Sequence, residues 1–153
     1  MAQIDRKKGP DREYPMDDWC GYVHERNKLM EFMKDRKVSN PVVITGDNHA
    51  NWVNEIRMHG TTGTQVTTEF LGTSITSGGD GSERSNWFSD AAAAENPHVK
   101  WQNNRRGYVV CEVTHDTCRA EYRTVPFVSR PDAPVETPTK WRLTHGRAGV
   151  ERE

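Results

Sequence analysis

The chain has 153 residues, with 21 Lys and Arg against 22 Asp and Glu and a net charge of -1, so no long-range field draws it to nucleic acid or an anionic membrane. Only 33% of it is hydrophobic and 28% charged, with a mean hydropathy of -0.91, less apolar than an ordinary globular domain. Two readings fit: a polar domain with long loops, or a piece of a larger protein whose remainder supplies the facing core. No run approaches the ~20 apolar residues of a membrane span, residues 1–12 have no apolar signal-peptide core, and Cys20, Cys111 and Cys118 lack CxxC spacing. The thiols are expected to be reduced, and the chain as written soluble and untargeted.

Residues 1–15 are polar and broken by Pro10 and Pro15, which predicts a loop or disordered lead-in. Asp17 or Asp18 can cap a helix over residues 19–37, whose Tyr22, Leu29, Met30, Phe32 and Met33 form an apolar stripe. Asn40-Pro41 ends it. The continuous run Val42, Val43, Ile44, Thr45 predicts a strand covered on both faces. A second strand is expected over residues 52–58, then a threonine-rich stretch leading into residues 69–73. Residues 76–96, rich in Gly, Ser and Ala, predict a long loop or lid.

Residues 99–101 and 106–114 read as strands, with His115-Asp116 turning the chain into a partner strand over residues 117–126. If that turn holds, Val109, Cys111, Val113, Cys118, Ala120 and Tyr122 share the core face. Residues 129–153, with Pro131, Pro134 and Pro138, predict an extended surface tail that frays at its end. The organisation expected is therefore 1–15, 16–128 and 129–153.

Gly46-Asp47-Asn48-His49 is the most informative tetrad. A glycine closing a strand lets the backbone turn sharply and sets a carboxylate and an imidazole two residues apart, a pair able to hold metal. An Asp capping its own turn and a His satisfied by a carbonyl are the commoner explanation of a bare D-x-H. Other groupings carry less. Residues 72–79 could cradle phosphate through main-chain amides but lack a P-loop's Gly-Lys-Ser/Thr ending. Cys111, His115 and Cys118 are better read as small core residues flanking a turn. Asn103-Asn104-Arg105-Arg106 could contact phosphate through its two positive charges but reads by default as a solvated polar turn, the five tryptophans read as packing, and His24, His59, His98 and His145 have no partner in the pattern.

The neighbours of the tetrad give it meaning. Trp19, Gly21, Tyr22, Arg26, Leu29 and Phe32, then residues 40–52 (N-P-V-V-I-T-G-D-N-H-A-N-W), resemble the C-terminal region of PhoD-like alkaline phosphatases. Residues 69–77, 96–100, 104–108 and 122–126 are similar to that family in the same order, so the resemblance spans residues 11–135.

The resemblance implies an α/β (α+β) chain that is part of a calcineurin-like metallophosphoesterase sandwich of two β-sheets flanked by helices, with a mixed sheet and a C-terminal β-hairpin. It implies Asp47 and His49 as ligands on the final metal-binding loop, iron and calcium as metals, a phosphate ester as substrate, and an exported or periplasmic setting for the intact family. By its chemistry His49 would take the iron-like metal and Asp47 the harder calcium-like one. The family's remaining ligands lie on earlier loops that would precede Met1, in the missing N-terminal half of the domain. Nothing here replaces them: Asp17 and Asp18 begin a helix, Asp80 and Asp90 sit in a loop, and Cys111 faces the core. The isolated chain is therefore expected to be inactive and to bind metal poorly. The alternatives are an inactive truncated remnant and a small binding module.

Overall fold

The computed structural model describes every residue except 62, 85–87 and 89. Among the described residues two helices, α1 (Val23–Asp35) and α2 (Asp90–Glu95), accompany eight strands: β1 (Val42–Thr45), β2 (Asn51–Arg57), β3 (Gln65–Leu71), β4 (Val99–Asn103), β5 (Arg106–Val113), β6 (Thr117–Val125), β7 (Glu136–Thr144) and β8 (Glu151–Arg152). They form two four-stranded sheets, ordered β1-β3-β2-β4 and β5-β6-β7-β8. The first is mixed, because β1 runs parallel to β3 while β2 is antiparallel to both neighbours. The second is an antiparallel meander.

The sheets face each other. Val53 and Phe70 from the first pack on Cys118, Ala120, Tyr122, Trp141 and Leu143 from the second, and alternation along each strand supplies these inward side chains. The other face of the mixed sheet is covered in two patches, Met30 of α1 on Ile56 and Met58, and Phe88 on Trp52 and Ala50. β2 is thus buried on both sides.

Several expectations change. β1 is an edge strand in this chain rather than an interior one, with Ile44 63% exposed. Its apolar run provides for a sheet covered on both faces, yet it pairs with β3 alone among the described residues. α1 begins at Val23, with Tyr22 as an N-cap whose side chain makes no capping bond; Asp18 instead accepts from the Cys20 amide in the preceding turn. Of the expected stripe Met30 is buried and Met33 packs partly beside it, while Tyr22, Leu29 and Phe32 are exposed. Arg26 is the other buried helix residue, because its guanidinium caps the carbonyls of Met1, Arg57 and Met58.

The hairpin forms in the expected register, Val113 opposite Cys118. Val113, however, is 71% exposed rather than in the core. Residues 129–153 are not a fraying tail: β7 pairs along its length with β6 and inserts Trp141 and Leu143 into the core. The three prolines concealed this, and only Pro138 lies inside β7. The N-terminal segment also docks, with Ala2 in the core and Asp5 exchanging main-chain hydrogen bonds with the Asn96 side chain. α2 lies within the expected loop of residues 76–96, whose residues 85–87 and 89, Trp87 among them, lie outside the described residues.

Candidate metal centre

The tetrad follows β1 at the carboxyl end of the mixed sheet, and Asp47, Asn48 and His49 are all exposed. The sharp turn is not made where glycine would allow it. Asp47 has φ 72° and His49 φ 56°, both left-handed, whereas Gly46 has no positive φ. A non-glycine residue there costs on the order of 1–2 kcal/mol, so other contacts must hold the loop. The Asn48 amide donates to the Gly46 carbonyl at 2.9 Å, and Trp52 Nε1 donates to Asn48 Oδ1 at 3.2 Å. The Arg106 guanidinium donates to the His49 carbonyl at 2.7 Å. These contacts take the main chain and Asn48. Among the described residues neither the Asp47 carboxylate nor the His49 imidazole has a hydrogen-bonding partner, so the turn-capping account of the pair does not apply.

A cleft of about 720 Å³ opens beside Asp47, lined by Thr45, Asn48, Trp19, Tyr22 and Glu69 among others. Glu69 stands out. It is 1% exposed, and it accepts hydrogen bonds from Asn54 Nδ2 at 2.9 Å, Thr45 Oγ1 at 3.1 Å and the Ala2 amide at 3.2 Å, besides an ion pair with the Met1 ammonium. Burial pushes its carboxyl up, but the ammonium, Asn54 and the Ala2 amide outweigh that and hold it below the usual carboxylate range. Through Thr45 it braces the residue before the tetrad.

Arg106 is the other residue the sequence reading missed. Expected in a solvated turn, it is 2% exposed. A charged residue opening an apolar strand pattern is the only signal for it, and Glu69 within a Thr-Phe-Leu strand is the same kind of signal. The remaining groupings stay structural. Cys20 and Cys118 are buried, Cys111 is half-buried, and all three are free thiols. Asp80 accepts from the Val128 and Ser129 amides, which hold its carboxyl below its usual range and pin the loop to the second sheet. His98 is buried.

The donor set fits part of a metal site. An exposed carboxylate and imidazole without partners are suitable ligands, but among the described residues no three His, Cys, Asp or Glu side chains come together. No helix described is long and apolar enough to cross a membrane.

Two facing sheets with helices on one outer side define the class: a mixed α/β two-sheet sandwich like that of a solved PhoD structure, with no closed barrel. The family model of the PhoD-like phosphatases matches residues 1–122, and the chain belongs to that family. It is 38% identical over 141 residues, 91% of its length, to alkaline phosphatase D of Bacillus subtilis (strain 168), and spans 24% of that protein. A solved structure, "Structure of PhoD", superposes on 99% of the chain with a TM-score of 0.91 and 35% identity, of which the chain covers 29%. The chain thus spans about a quarter of the length of these relatives.

Proposed function

We propose that Asp47 and His49 are this chain's contribution to the two-metal centre of a phosphoesterase acting on phosphate mono- or diesters, the other ligands coming from polypeptide that its longer relatives carry. The observation that carries this reading is the pair itself: two unpartnered ligand-type side chains, exposed on a left-handed loop at a strand's carboxyl end, in a chain of the PhoD-like family. When bound, the metals would neutralise charge on the phosphoryl oxygens and activate water as nucleophile.

The chain's own residues divide the remaining work. A ring nitrogen of His49 would hold an iron-like cation and the Asp47 carboxylate a harder one such as calcium. Glu69, through the Thr45 hydroxyl, fixes the end of β1 that leads into their loop. Trp52, through Asn48, fixes the loop between them. With two ligands the isolated chain is inactive.

The test is a chimera in which this chain replaces the matching quarter of the B. subtilis relative, assayed on p-nitrophenyl phosphate and bis(p-nitrophenyl) phosphate with calcium and iron. The chimera should turn over ester, Asp47→Ala and His49→Ala should each reduce turnover by about 100-fold or more, and the chain alone should show none. Full activity in the double alanine variant would remove the ligand assignment. Metal-dependent turnover by the chain alone, lost in Asp47→Ala, would show that the site is more complete than two ligands.

A further inference from the structure

Arg106 opens β5, on the second sheet, yet its guanidinium reaches across to the ligand loop of the first. Nη1 donates to the His49 carbonyl at 2.7 Å, the Ser77 carbonyl at 2.8 Å and Ser74 Oγ at 2.9 Å. Nη2 donates to the Asn104 carbonyl. One buried side chain therefore ties together three loops: the tetrad, the serine- and glycine-rich stretch after β3, and the turn between β4 and β5.

Burying a guanidinium is costly unless its donors are used, and the usual partner is a carboxylate. Arg106 spends its Nη1 and Nη2 donors on loop oxygens instead, while Nε is buried without a hydrogen-bond partner among the described residues. The loops are shaped to receive it. Gly78, at φ 90°, and Gly81, at φ 73°, lie against it, and a Cβ at Gly81 would meet Nη2 at 2.8 Å and the Asn104 carbonyl at 2.0 Å. The contact to His49 falls on a residue whose backbone needs support, since His49, like Asp47, is left-handed without being glycine.

We propose that Arg106 is a positioning residue for the candidate metal centre: by holding the His49 carbonyl it keeps the left-handed turn that presents the His49 imidazole, and it couples that turn to the residue 74–77 loop. This rests on the metal reading above. Its role is geometric, so it acts through His49 and needs no contact with substrate. A lysine can supply one point donor to the His49 and Ser77 carbonyls but cannot also reach Asn104, and a methionine supplies none.

The test uses the 153-residue chain and its Arg106→Lys and Arg106→Met variants, with Arg106→Lys retained as the reporter should the methionine variant fail to fold. Amide exchange is followed over residues 48–51 and 74–77, and dilute Mn²⁺ is titrated while the ring resonances of His49 are observed for paramagnetic broadening. The expected result is exchange at least tenfold faster in both segments for Arg106→Met, with β6 and β7 unchanged. The Mn²⁺ concentration that half-broadens the His49 ring should rise at least fivefold, and Arg106→Lys should fall between. Unchanged exchange in residues 48–51 would overturn the clamp. Faster exchange with unchanged Mn²⁺ response would overturn the positioning role while leaving the metal reading intact. No selective broadening of His49 in the unsubstituted chain would overturn the positioning role, while the metal reading would still stand or fall on the chimera.

Discussion

The Tyr122 hydroxyl, on the second sheet, donates to the main-chain carbonyl of Trp52, on the first, at 2.6 Å across the buried interface. Burial pushes that phenol well above its ordinary range, so it is a donor at every accessible pH. The bond lands on the strand that leaves the residue 46–49 loop, and the same tryptophan's ring holds Asn48. Tyr122→Phe keeps the ring against Trp101 but leaves a buried carbonyl short of a partner. The expected loss is about 1–2 kcal/mol in urea unfolding, with the sheets intact by circular dichroism. An unchanged midpoint would show that the bond contributes nothing.

The ligand loop should show a conflict between stability and chemistry. Gly46 does not use its conformational freedom, and a Cβ there would meet only the Gly72 carbonyl at 3.8 Å. Gly46→Ala is therefore expected to be neutral or slightly stabilising. His49→Gly, by contrast, relieves a left-handed residue and should stabilise by about 0.5–1 kcal/mol while removing a proposed ligand. Chemical denaturation of the two variants decides it. Destabilisation by His49→Gly would mean the imidazole has a structural role the geometry does not reveal.

Stability should depend on pH through His98. It is 1% exposed, and burial first, then the charges of Arg57 and Arg26, lower its pKa from 6.5 to about 4. Folding thus favours the neutral ring, and between these two values the unfolded chain binds more protons. The contribution is complete above about pH 6.5 and is lost as pH falls toward 4, amounting to on the order of 2–3 kcal/mol. Glu69, whose pKa is lowered, loses its contribution only below the ordinary carboxylate value of 4.5. Melting temperatures of the parent and His98→Gln should agree best at pH 7 and diverge most at pH 5, where only the parent's unfolded chain takes up the extra proton, provided glutamine fits the site. Parallel curves would show that His98 does not carry the dependence.

The edge of β1 should make the chain self-associate. Ile44 is exposed there, as are Tyr22, Leu29 and Phe32 on α1, and an unpaired strand edge beside apolar surface recruits another chain. Sedimentation is expected to show concentration-dependent oligomers, reduced by Ile44→Lys. A monomer at all concentrations would favour the small binding module over a piece of a larger sandwich.

Local pattern made much of this protein legible. The run of residues 42–45 announced β1, the alternation on either side of His115-Asp116 announced the β5–β6 hairpin, and the ordered motifs from Trp19 to Pro126 announced the family, because each depends on residues close in sequence. What the sequence left hidden depends on residues brought together from afar. The prolines of residues 129–153 masked β7, whose Trp141 and Leu143 count as core only once β6 lies beside them. β1 became an edge because strand order is a tertiary property. Arg106 looked like a solvated charge until the residue 46–49 and 74–77 loops closed over it, 57 residues from His49 in sequence. The sequence singled out Asp47 and His49 as the candidate metal ligands. The tertiary structure decided that their loop is left-handed at Asp47 and His49 and what holds it so, since a main-chain conformation that no local preference favours is kept only by contacts that folding supplies.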